Sequence, residues 1–293
     1  MAGKMVCNFN WMELHMPENK IVRGDNMDYR SGKIAQQIIA VQNDDGTWGN
    51  EFHSLSIPNS KKPLTTEQAL RRLKLLGFTI LDEPIKKSVD CIVACLNGER
   101  KIDNYREKGR DWDLFTKLML STWVKIFQPQ NEVALECAKY WVTMIEAEFA
   151  DGKYDKDTGE VDFVTFYEIN LLQGLLSEST ESRMLDYVIN HEKGIYYIYG
   201  KRISELPKEF QSVETSRYLE AIDILSGYKL AKEKLGFVVK WLEDNKDENG
   251  QWDLGTKAKD NLYFPLSDSW RSVECRKADC TAKITAIIDK LKN

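Results

Sequence analysis

An all-α fold, built as an array of about five helical hairpins, is what this sequence predicts. The first observation behind it is a short turn, [Asp/Asn]-Gly-x-aromatic, that recurs in order along the chain. Its copies are Asp45-Gly46-Thr47-Trp48, Asn97-Gly98-Glu99-Arg100, Asp151-Gly152-Lys153-Tyr154, Lys193-Gly194-Ile195-Tyr196 and Asn249-Gly250-Gln251-Trp252, of which four have the Asp or Asn and four the aromatic. The second is their period of about 50 residues, which marks stacked supersecondary units that cannot bury their apolar faces alone. The third is helical periodicity before and after each turn.

The elements follow in order. The first hairpin pairs a helix at 31–42 with one at 65–76, where Thr65 and Gln68 form a capping box. The second pairs 84–97, opened by Pro84, with 112–127, in which only Asp113, Lys117 and Lys125 are charged. The third pairs 130–149, preceded by Pro129, with 162–176, charged only at Asp162 and Glu168. The fourth pairs 181–192, capped by Ser179 or Thr180, with 211–225. The fifth pairs 229–245, which carries a charged stripe, with 275–291.

The first turn, read from Gln42 to Trp48, resembles the Gln-x-x-x-Gly-x-Trp repeat of the squalene and hopene cyclase and protein prenyltransferase superfamily. The last turn keeps the Gly250-x-Trp252 half and lacks the Gln; the middle copies are more degenerate. The resemblance spans roughly residues 30 to 293 and implies an α/α toroid, a ring of hairpins with inner and outer helices, closed or left as an open arc. One domain over 1–293 is expected, with 1–30 as an extension packing on the ring. The helices after the turns form the inner set. Arg71, Arg72 and Lys74 on the first of them, and Arg276, Lys277, Asp279 and Lys283 on the last, depart from its apolar pattern. Such charges suit the place where the ring closes.

The resemblance limits the chemistry. Class II terpenoid cyclases use an Asp-x-Asp-Asp acid motif, and Asp111-Trp112-Asp113-Leu114 matches its first three positions. Prenyltransferases bind zinc through an Asp, a Cys and a distant His. Here Asp279 and Cys280 are adjacent, and His15, His53 and His191 occupy no corresponding repeat. No metal or cofactor is therefore expected, and Asp113, with Asp111 beside it, is the candidate general acid. Its proton at neutral pH would require burial.

Composition narrows partners. With 41 basic and 46 acidic residues the net charge is −5, which argues against a broad nucleic-acid footprint. No apolar run reaches the ~18 residues of a membrane span. The six cysteines lack the spacing of a secreted disulfide scaffold, so a cytoplasmic location is expected. Oligomeric state is not readable.

Long connections follow each turn, over 43–64, 98–111, 150–161, 193–210 and 246–274, and connections of that length are often functional. All should emerge at one end of the array, carrying aromatics that include Trp48, Phe52, Tyr105, Tyr154, Tyr197, Trp252 and Trp270. An acid stands near the start of every inner helix: Glu67, Asp113, Glu168, Glu214 and Asp279. These acids either surround a cavity mouth or simply offset helix dipoles. The ligand-contact candidates at this end are Trp48, His53, Trp112, Glu168, Tyr197, Glu214, Trp252, Trp270 and Arg271. His53 could act as a general base. The leading expectation is an apolar, isoprenoid-like small molecule bound or converted in a central cavity. A carbohydrate-active α/α barrel and a non-catalytic protein-binding repeat are the alternatives.

Overall fold

A computed structural model describes residues 27–102, 111–150 and 163–292. The third turn, Tyr105, Tyr154 and most of the 1–30 extension lie outside those residues. The described chain is all-helical: eleven α-helices, one 3-10 turn and a few isolated β-bridges, with no strand among the described residues.

The turn glycines lie past the helix ends: Gly98 directly follows the capping residue Asn97, whereas Gly46, Gly194 and Gly250 come 6, 3 and 5 residues after the caps Ala40, His191 and Asn245. Gly46, Gly98, Gly194 and Gly250 hold φ of 90, 79, 58 and 76°, a left-handed backbone that glycine enters without a side-chain clash. At Gly46 the requirement is also steric, because a Cβ there would lie 2.5 Å from the Lys87 carbonyl oxygen.

Before the turns run α1 (Lys33–Ile39), α3 (Glu83–Leu96), α5 (Glu132–Glu148), α7 (Glu178–Asn190) and the pair α9 (Ala231–Lys234) and α10 (Gly236–Asp244). After them run α2 (Thr66–Leu75), α4 (Trp112–Phe127), α6 (Phe166–Leu171), α8 (Val213–Leu225) and α11 (Val273–Lys292). The Thr65–Gln68 capping box is present, and Asp111 caps α4. Some boundaries differ from expectation. The helix expected over 229–245 breaks at Leu235, whose ψ of 15° leaves the helical range. The helix α6 is shorter than expected because the chain turns at Leu172–Leu175 and Gly174 takes φ 71°. The caps of α5 and α7 are Asn131 and Ser177 rather than the neighbourhood of Pro129 and Ser179.

The first and last turns repeat one another in detail. Trp48 donates its indole N–H to the Ile38 carbonyl at the end of α1 (2.8 Å), while its backbone N–H reaches the Thr66 hydroxyl of α2 (3.0 Å). Trp252 donates to Leu242 of α10 (2.7 Å), and its backbone N–H reaches Thr281 of α11 (3.2 Å). Each tryptophan thus fastens the helix before the turn to the helix after it. Gln42 adds a bond from the first turn to Pro84 at the start of α3 (2.9 Å).

The turn-following helices pack in succession, α4 on α6, α6 on α8 and α8 on α11. The two ends of the described chain also touch. The Lys33 backbone N–H donates to Asp268 (2.9 Å), and the Arg72 guanidinium donates to the carbonyls of Leu262, Tyr263 and Pro265. Three of the charges that depart from the apolar pattern on the last helix, Arg276, Lys277 and Lys283, are in ion pairs. Arg276 forms a two-pronged bond to Asp253 (2.6 and 2.8 Å), and Lys283 bridges Glu220 and Asp223 (2.7 Å each). No helix among the described residues is long and apolar enough to cross a membrane.

Candidate functional site

Loop residues 51 and 52 are pinned to the start of α2, because the backbone N–H groups of Thr66 and Glu67 donate to the carbonyls of Glu51 (3.3 Å) and Phe52 (3.1 Å). That attachment sets His53 over the Glu67 side chain, which is wholly buried. Three donors converge on the Glu67 carboxylate. Trp123 of α4 donates its indole N–H to Oε1 (2.7 Å). Tyr167 of α6 donates its hydroxyl to Oε1 (2.9 Å) and Oε2 (3.1 Å). His53 Nδ1 lies 2.6 Å from Oε2 and 3.0 Å from the Tyr167 oxygen.

Donor chemistry assigns the protons. An indole can only donate, and an ionised carboxylate only accepts, so the pairing places the His53 proton on Nδ1 and leaves Nε2 as the nitrogen through which the ring exchanges protons. Burial, and then the neighbouring Glu67 charge, push the Tyr167 phenol well above its ordinary value. It therefore remains a neutral donor.

An aromatic collar holds the imidazole. Phe115 and Tyr197 meet it edge-on with centroids 5.1 and 6.1 Å away, and Trp112 packs at right angles on Phe115 (5.4 Å). Tyr197 reaches its place with φ 72°, a conformation that costs a non-glycine residue ~1–3 kcal/mol and that clusters at functional sites. In front of this collar lies a cavity of about 960 Å³ lined by His53, Trp112, Tyr196, Tyr197, Lys193 and Arg217 among others. Its walls come from the connections after the first, fourth and fifth turns, from the start of α4 and from the second turn of α8. Among the described residues, Arg217 Nε is buried there without a hydrogen-bond partner.

Of the residues expected at the site, His53, Trp112 and Tyr197 line this cavity; the others fall elsewhere. Trp48 and Trp252 are buried as turn fasteners. Trp270 is buried against Phe264 and donates to the Thr256 carbonyl (3.1 Å). Glu168 is buried and accepts from the Thr165 hydroxyl at the start of its own helix. Glu214 pairs with Tyr199 (3.1 Å) and Lys201 (2.7 Å). Arg271 is exposed.

The acid pair needs correction. Asp111 is the α4 N-cap, accepting from the backbone N–H groups of Asp113 (3.1 Å) and Leu114 (3.0 Å). Asp113 is exposed and does not line the cavity. The expected burial fails because the first turn of α4 directs Trp112 and Phe115 to the site and leaves Asp113 exposed. Nor do the five helix-start acids share one mouth, since Asp279 is buried and accepts from the backbone of Leu266 and Ser267. Sequence reasoning missed Tyr167 and Trp123 and did not single out Glu67. One signal for Glu67 was present: it sits on the stripe of α2 that carries Leu70 and Leu73, where an acid is out of place. Among the described residues, no group of three His, Cys, Asp or Glu side chains could hold a metal ion. Compared with protein-family models, curated proteins and solved structures, the chain matches none.

Proposed function

We propose that the chain is an α/α toroid whose loop-end cavity binds a hydrated ring such as a sugar, with His53 as the proton-transfer group of a hydrolase or lyase. The observation that carries this reading is the His53–Glu67 pair at 2.6 Å, in a cavity rimmed by Trp112, Tyr196 and Tyr197. Glu67 orients the imidazole by accepting from Nδ1, which leaves Nε2 placed to take a proton from water or from the ligand. Tyr196, exposed at the rim, and Tyr197 offer flat faces on which a sugar can stack.

The isoprenoid-like ligand implied by the family resemblance fits this wall less well. Glu51, Lys62, Lys193 and Arg217 all line it, and each would lose water against a hydrocarbon without gaining a partner. The cyclase-like acid reading also loses its candidate, given the exposure of Asp113.

Turnover is the test. Against a panel of polysaccharides and glycosides, His53→Gln is expected to lower kcat by ~10²–10⁴-fold while circular dichroism stays unchanged. Activity that survives in that variant sinks the assignment of His53. Retention of a lipid extract, with no carbohydrate bound or turned over, would instead favour the isoprenoid reading, and retention of neither would favour a protein-binding repeat.

Closure of the hairpins into a ring is supported by the contacts of Lys33 with Asp268 and of Arg72 with Leu262, Tyr263 and Pro265. Lys33 and Asp268 are both exposed, so carbodiimide coupling should join them within one chain, as read by peptide mass spectrometry. Efficient coupling of other Lys–Asp pairs without this one would favour an open arc.

A further inference from the structure

Where the turn-following helices end, a second cavity of about 320 Å³ lies between them. Lys74 comes from the last turn of α2, Lys125 from that of α4, Lys290 from that of α11 and Asp223 from that of α8, while Gln173 follows α6. We propose that this cavity binds a phosphate group.

The charges do not balance without one. Three ammonium groups face a single carboxylate, and Asp223 is already engaged by Lys283 (2.7 Å) and Lys290 (2.6 Å). Burial would raise the Asp223 carboxyl, yet Lys283, Lys290 and Lys74 together hold it well below the usual range, so it stays ionised and occupied by its own lysines. Lys125 is buried, and the one acceptor it reaches among the described residues is the Gln173 carbonyl (2.7 Å). Lys74 has no ion pair within bonding distance among the described residues.

A simpler account is that these lysines offset the partial negative charge of helix C-termini. That attraction is real but small beside the cost of taking an ammonium out of water, and it suits the half-exposed Lys290 better than Lys125. Burial alone pulls Lys125 down to about 8, as expected for an ammonium that lacks a counter-charge. An oxyanion between Lys74 and Lys125 supplies it, with charge-assisted bonds that are stronger than neutral ones. The volume, near the lower end for ligand pockets, has room for phosphate or a small phosphomonoester.

Thermal unfolding of the full chain would be followed in inorganic phosphate, in glycerol phosphate and in chloride at matched ionic strength, which removes general screening. Phosphate is expected to raise the Tm saturably, and the glycerol phosphate arm tells free from esterified phosphate. Lys74→Gln and Lys125→Gln should each weaken the apparent affinity by about tenfold or more. Lys74 is partly exposed, so its variant keeps the test valid if Lys125→Gln fails to fold. No saturable rise in either phosphate arm, or an unchanged rise in Lys74→Gln, overturns the proposal.

Discussion

Replacing Glu67 by Gln should destabilise the protein by ~3–5 kcal/mol, the range for removing one partner from a buried charged cluster. The substitution is nearly isosteric, so packing is not the cause. Donors approach both oxygens, Trp123 at Oε1, His53 at Oε2 and Tyr167 at each. With its NH₂ toward Trp123 the amide faces an indole that can only donate, and with its NH₂ toward His53 it is satisfied only if the ring moves its proton to Nε2, which removes the accepting lone pair there. Tyr167→Phe removes one donor and leaves the carboxylate with two, so it should cost less, ~1–3 kcal/mol. Denaturant unfolding measures both. If Glu67→Gln loses under about 1 kcal/mol, the cluster is not holding the fold, and the orientation of His53 needs another explanation.

A loss of similar size, ~3–5 kcal/mol, is expected for Trp48→Ala and separately for Trp252→Ala. Both side chains are buried and both give up an indole bond to a helix-terminal carbonyl, that of Ile38 or of Leu242. The matching geometry predicts matching costs. A loss in either variant of less than about 1 kcal/mol, again by denaturant unfolding, would mean that the turn holds without its tryptophan.

The helices were legible in the sequence because their determinants are local. Periodicity, the Thr65 box, the glycine turns and the low charge of α4 each lie within a few residues of the feature they set. Errors arose where a local signal had a near neighbour of the same kind, as when Ser177 rather than Ser179 caps α7. The site was legible only in part. His53 stood out as a loop histidine, but Trp123 and Tyr167 meet Glu67 across 56 and 100 residues, and no spacing rule connects them. Asp113 misled for the opposite reason. Its helix is apolar as a whole, yet burial is decided residue by residue, and Asp113 is exposed beside the buried Trp112.

The two tryptophan turns and the contacts between the chain's ends differ most in the length of chain that each must close. An indole bond from Trp48 to Ile38 spans 10 residues, whereas Lys33 meets Asp268 across 235. The entropy lost on closing a loop grows with its length, and distant contacts form slowly for that reason. Assembly can therefore begin locally, with the first and last hairpins held by their tryptophan turns, before the ends find one another. Lys33, Arg72 and Asp268 are then expected to act as a late latch, so that Arg72→Ala should speed unfolding more than it slows folding in denaturant-jump kinetics.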